Sequence, residues 1–161
     1  MEPLKRKQLL ESYASAHARL SHALSFIPKD VWLYKPPPAE WSIHEIILHL
    51  ADSEAHLYIR ARRFIAEPGS KVLAFDHDKW TARLGYHKQS AETALELFRC
   101  LRDLTHGLLE GIPGEAWINT VEHSEYGVMT LDQWLERADK HANDHIGQIK
   151  QNYELWLKRS K

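Results

Sequence analysis

Apolar residues return every three or four positions along four long stretches of this 161-residue chain, and that period commits each stretch to an amphipathic helix. The first runs from about Leu4 to Phe26, with Leu9, Tyr13, Ala16, His17, Leu20 and Leu24 on one face, and Pro28 ends it. The second opens on Ser42 and Glu45, the reciprocal arrangement in which a serine hydroxyl caps a free N–H and a glutamate reaches back. Ile43, Ile46, Ile47, Leu50, Leu57, Ala61 and Phe64 form its stripe as far as Pro68-Gly69. The third runs from Ser90, a plausible cap, to about Leu109, with Ala94, Leu97, Phe98, Leu101, Leu104, Thr105 and Leu108 expected inward. The fourth starts after Thr130 and Gln133, a second capping pair, and continues to about Leu157. Between them, Pro36, Pro37 and Pro38 favour an extended path, and the segment 70–88 forms a long connector holding a short helix near 78–84. No strand pair is legible. The expectation is an all-α, four-helix bundle occupying one domain, residues 1–161, with the long connector between its second and third long helices.

The length suits one core and is short for two. A formal net charge of −1, with Lys and Arg dispersed, gives no electrostatic footprint for nucleic acid. No apolar run approaches the roughly 20 residues a membrane helix needs. The first residues, MEPLKRKQLLESYASAH, contain no apolar run of the secretory type, and Cys100 is the only cysteine. A cytoplasmic protein without a disulfide is therefore expected. Cys100 reads as an inert, partly buried thiol.

The fourth helix carries the chemistry. His141 and His145 lie four residues apart on its apolar face, with Trp134, Ala138, Ala142, Ile149 and Trp156. Two imidazoles turned towards a core need partners, because an unsatisfied buried polar group is costly. A divalent ion is one such partner, since an i, i+4 histidine pair can chelate from a single helix; ordinary satisfied core histidines are the other reading. A third nitrogen is expected from His49, at the edge of the second helix's buried arc, beside Asp52, Ser53 and His56. Three imidazoles suit zinc, nickel or another first-row ion and leave a coordination position open. Asp52 and Asp144 are candidates to orient the histidines or move protons, and solvated helix-face charges are the simpler reading of both. His17 reads as core or boundary, and His44 and His56 as solvent-facing or supporting. The aromatics Trp41, Trp80, Tyr86, Trp117 and Tyr126 either wall a pocket or seal the bundle ends. No phosphate loop, nucleophile elbow, dinucleotide fingerprint or Glu-x-x-His motif is present.

The segment EWSIHEIILHLADSEAHLYIRARRFI resembles the second-helix signature of the DinB-like (DinB/YfiT) superfamily of metal-dependent enzymes, through Trp41, Ser42, Glu45, His49, Asp52 and Glu54. HSEYGVMTLDQWLERADKHANDHIGQI is similar to the second signature, with His123, Gly127, Thr130, His141, His145, Gln148 and Ile149 at the matching positions. FDHDKWTARLGY resembles the family's Asp-x-Asp-x-Trp connector. Many relatives carry a histidine where this chain has Asp144. The resemblance implies a four-helix bundle holding one divalent metal on His49, His141 and His145. Activity on a small-molecule substrate follows, with activation of a low-molecular-weight thiol for S-transfer to a small electrophile as the first expectation. The alternatives are a hydrolase using metal-activated water and a non-catalytic, metal-stabilised stress or interaction bundle. A homodimer is compatible with the pattern, which does not require one.

Overall fold

The computed structural model describes residues 1–37 and 40–159; the reading of Pro38 as extended lies outside them, and Pro36 and Pro37 are non-helical. Four long helices form the frame: α1 (Pro3–Ser25), α2 (Ile43–Ala66), α4 (Ala91–Glu110) and α5 (Leu131–Arg159). A short helix, α3 (His77–Arg83), lies in the α2–α4 connector.

The helix starts follow from local chemistry. Ser42 accepts from the Glu45 N–H while Glu45 receives the Ser42 N–H, so both halves of the first capping box are present. Thr130 and Gln133 repeat the exchange at the head of α5, at 2.8 Å and 3.3 Å. Ser90 caps α4 and Asp76 caps α3.

α2 packs most heavily on α4 and α1 on α5, with α2–α5 and α1–α4 closing the ring. Consecutive pairs α1/α2 and α4/α5 therefore face each other across the bundle. A diagonal crossing needs more chain than a tight turn between neighbours, which accounts for the long segments 26–42 and 111–130.

Those connectors correct one expectation. Instead of lacking strands, the chain has a three-stranded sheet in the order β1 (Lys71–Val72), β2 (Thr120–His123), β3 (Gly127–Thr130). β1 pairs parallel to β2, with Val72 opposite His123; β2 pairs antiparallel to β3, with Val121 opposite Met129. Gly127, at φ 68°, takes the left-handed conformation with which β3 begins. The sheet fastens the connector leaving α2 to the one entering α5.

The buried apolar residues form two clusters, one holding Phe98 and the other Tyr13 and Ala138, and a buried charged pair that the apolar pattern hides, Arg102 with Glu54, bears on both. Arg102 is fully buried. Its Nε donates to Glu54 of α2 at 2.8 Å, Nη1 to the Tyr13 carbonyl of α1 at 2.8 Å and Nη2 to the Ala138 carbonyl of α5 at 3.1 Å. One guanidinium on α4 thus joins all four long helices, with the Tyr13 and Phe98 rings 4.1 and 4.7 Å from it. The Tyr13 hydroxyl donates to the other oxygen of Glu54. Burial pushes the Glu54 carboxyl upward, and the guanidinium opposes that push. Because Arg102 turns inward, α4 is rotated from its expected orientation. Ala94, Phe98, Thr105 and Leu109 are buried, whereas Leu97 and Leu104, expected inside, are 45% and 58% exposed.

Candidate metal centre

His49 enters the interior because α2 is enclosed at that level: Ile46, Ile47, Leu48, His49 and Leu50 are all buried in succession. On α5, Ala138 and Ala142 bracket His141 and are fully buried, and their small side chains let α5 approach α2 closely. The result is a cluster in which His49, His141 and His145 each offer a nitrogen, all within 4.8 Å of one another. His49 Nε2 and His141 Nε2 are 3.1 Å apart. Two nitrogens on one tetrahedral ion at about 2.0–2.1 Å would stand roughly 3.3 Å apart, so this spacing is close to a ready-made chelate edge.

The environment keeps all three rings neutral. Burial lowers His49 to about 2, with His145 and His141 adding repulsion. Burial likewise lowers His141 to about 3, helped by His145 and by Arg102. His145 is lowered by burial, against the opposing pull of its bond to Gln148. Each ring therefore carries a lone pair at neutral pH. For His145 the tautomer is also set, because Nδ1 lies 2.9 Å from the Gln148 side-chain oxygen and must donate to it. That leaves Nε2 unprotonated. Ser53 Oγ lies 3.3 Å from His49 Nε2, and the Trp41 ring covers His49 and stacks on His145 at an interplanar angle of 11°. His49 Nδ1 is buried without a hydrogen-bond partner.

These rings line a cavity of about 440 Å³. Trp41, Phe75 and His77 flank them, and the wall continues through Arg60, His123, Tyr126 and Trp134. The two carboxylates expected beside the histidines behave differently. Asp144 lines the cavity but is engaged with Lys140 Nζ at 2.5 Å. Asp52 is absent from the lining and accepts from the Tyr86 hydroxyl at 2.5 Å. Neither hydrogen-bonds a clustered histidine among the described residues; Gln148 and Ser53 do. His77 and Arg60 went unread in the sequence, since a connector histidine and a helix-face arginine carry no periodic signal. Of the aromatics, Trp41 and Tyr126 wall the cavity, Trp80 packs on Phe75 and His56, and Tyr86 and Trp117 are core. His44 bonds the Tyr86 carbonyl and His17 approaches Ser21. Cys100 is free and partly buried.

Residues 12–149 match the sequence profile of the DinB superfamily, and the chain belongs to it. It is 22% identical over 111 residues to a protein of Halalkalibacterium halodurans that carries the provisional name metal-dependent hydrolase BH0277, covering 69% of this chain and 64% of that one. It is 27% identical over 109 residues to the similarly named OB0782 of Oceanobacillus iheyensis, covering 68% and 63%. The match thus spans less than two thirds of the length of these curated relatives. Among solved structures it resembles YfiT from Bacillus subtilis, described as a probable metal-dependent hydrolase with an unusual four-helix bundle topology. The TM-score is 0.89 at 19% identity, covering 99% of this chain and 90% of YfiT. A DinB-like protein of Bacillus subtilis, YjoA, aligns with a TM-score of 0.59 at 20% identity, over 91% and 90%. At such identities the likeness establishes the fold, a four-helix bundle, as the periodicity indicated.

Proposed function

We propose that this member of the DinB superfamily is a metal-dependent hydrolase of small molecules, with one divalent ion on His49, His141 and His145. The observation that carries the reading is a buried, neutral, three-nitrogen cluster opening onto a cavity of small-molecule size. The donor set fits the ion: three imidazoles, no thiolate and no carboxylate, which favours zinc or nickel over calcium or magnesium. Bound there, such an ion supplies Lewis-acid activation of water and stabilises the negative charge developing on a substrate carbonyl. The chain's own residues do the rest. Gln148 fixes the His145 tautomer, Trp41 shields two of the rings from solvent, and Ser53 offers a hydroxyl beside His49 Nε2. Asp144, which lines the cavity and acts on both His141 and His145, is a carboxylate able to take a proton from the nucleophile once Lys140 releases it.

An open coordination position would accept a thiol sulfur as readily as water, and no cavity residue selects between them. Hydrolysis is preferred because the relatives' names point there. The test is elemental analysis of untagged protein, followed by ester and amide panels assayed with and without added cellular thiols. One equivalent of zinc or nickel, and cleavage that is independent of thiol and abolished by chelation, supports the proposal. Turnover of electrophiles only when thiol is present converts it to S-transfer. Bound metal without turnover on any panel, with His145→Ala losing only stability, reduces it to a metal-stabilised bundle.

A further inference from the structure

Away from the three clustered histidines, the cavity lining includes two buried donors that lack acceptors. His123 is 3% exposed, and its Nδ1 accepts the Glu125 N–H at 3.2 Å. A neutral imidazole that accepts at Nδ1 carries its proton on Nε2. That Nε2–H is buried and has no partner among the described residues. Trp134, 2% exposed, lines the same cavity, and its indole N–H is also buried without a partner. Indole nitrogen can only donate. Beside them is Arg60, half-buried, whose Nη2 donates to the Leu73 carbonyl at 2.6 Å. No carboxylate lies within ion-pair distance of this guanidinium among the described residues, whereas Lys140 at the same cavity is paired with Asp144.

The arrangement is held rigidly. Tyr126 stacks on the His123 ring with centroids 4.6 Å apart, and the Arg137 guanidinium lies 3.9 Å from the Tyr126 ring centroid. β2 pairing with β1 on one side and β3 on the other fixes the backbone of His123. Leaving a buried donor unmade is unfavourable, and two of them with an unpaired guanidinium in one wall form a site complementary to negative oxygen.

We propose that Arg60, His123 and Trp134 form a recognition subsite for a carboxylate on the substrate, which makes the substrates small carboxylic acids bearing the reacting group at their other end. The proposal rests on the reading of this cavity as the substrate site, with the histidine cluster as its reacting end. A monoanion suits the wall better than a phosphate dianion. Arg60 and Arg137 both line the cavity and act on His123, Glu125 opposes them with one negative charge, and the His123 and Trp134 donors are neutral, so the balance of formal charge here is a single positive one. The planar guanidinium fork matches the two oxygens of a carboxylate. Bound this way, the acid anchors one end of the molecule while the reacting bond reaches the histidines.

Calorimetry of the 161-residue chain with benzoate and its neutral isostere benzamide tests this, on zinc-loaded protein and again after chelation. Chelation removes any contribution from a carboxylate ligating the metal. Benzoate is expected to bind the chelated protein, and benzamide about tenfold more weakly or not at all, since a hydrogen bond to a charged group contributes about 1.5–3 kcal/mol, of which 1.4 is tenfold. Arg60→Gln and His123→Phe should each weaken benzoate about tenfold while zinc stoichiometry stays at wild type. Trp134→Phe, which keeps the ring and deletes the N–H, provides a check if His123→Phe fails to fold. Equal binding of the two ligands, benzoate binding only when zinc is present, or an Arg60→Gln variant that binds as the wild type does, overturns the subsite. Benzoate binding to a chain that takes up no metal would instead refute the metal-centre reading and leave the subsite standing.

Discussion

Glu54→Ala is the most informative perturbation of the frame. It leaves the Arg102 guanidinium, fully buried, with only two carbonyl acceptors, and it orphans the Tyr13 hydroxyl. Removing one partner of a buried pair costs about 3–5 kcal/mol, because the surviving charge stays desolvated. Unfolding entropy is roughly 2.1 cal/mol/K per residue, or about 0.34 kcal/mol/K over 161 residues, so each kcal/mol moves Tm by about 3 °C. The expected fall is therefore about 9–15 °C by circular dichroism. The same logic predicts recovery when every polar partner goes together. Tyr13→Phe/Glu54→Leu/Arg102→Met leaves no buried charge. The Tyr13 and Ala138 carbonyls keep the helical bonds that their positions inside α1 and α5 provide. The triple variant should stand within about 1–2 kcal/mol of wild type, or above it, because well-packed apolar replacements of buried ion pairs are often neutral or stabilising. A Glu54→Ala loss below about 1 kcal/mol, or a triple variant as unstable as the single one, would refute the account of Arg102 as a desolvated charge held by its partners.

Three further expectations follow from the site and the helix ends. An ion bound only by the folded chain at 100 times its Kd adds about 2.7 kcal/mol, so zinc should raise Tm by about 8 °C, and His49→Ala should abolish that rise while still folding. Gln148→Ala removes the acceptor that sets the His145 tautomer and should weaken zinc about 10–100-fold by competition titration, with ion-free stability changed by less than about 0.5 kcal/mol. Asp132, in the first turn of α5, accepts from Arg6 Nε at 2.7 Å and from the Met1 ammonium at 2.8 Å; burial raises its pKa, but Arg6 and the ammonium together outweigh burial and leave it below its ordinary 3.8. A depressed carboxylate contributes fully above its unfolded pKa and loses that contribution as pH falls through the folded value. Urea midpoints of the wild type should therefore drop more steeply than those of Asp132→Asn below about pH 4; parallel curves would show the pair to be energetically silent.

Much of this was legible because the informative signals were local. Ser42 with Glu45, and Thr130 with Gln133, announce helix starts through contacts three residues apart, and the His141/His145 spacing needs only the helical period. His49 was reachable because it borders a strong stripe. What escaped depended on distant partners. Arg102 reads as an outward residue, and only Glu54, 48 positions earlier, makes its burial tolerable; the leucines at 97 and 104 then read as inward by default. Strands of two to four residues are too short to display alternation, so the sheet was invisible. Asp52 and Asp144 attracted attention as carboxylates near histidines, yet their partners, Tyr86 and Lys140, are set by packing and by an i, i+4 ion pair that periodicity does not rank.

The small sheet divides labour within the cavity. The three clustered histidines, and Arg60 and Trp134 with them, are carried on the long rods α2 and α5, while His123 hangs on a ribbon whose bend, Ser124 to Tyr126, is exposed. Lengthening or recomposing that bend would reshape what the cavity admits without disturbing a single rod. Such a scaffold can acquire new specificities through one short, tolerant piece of chain, and a randomised library confined to those three positions is the economical place to look for them.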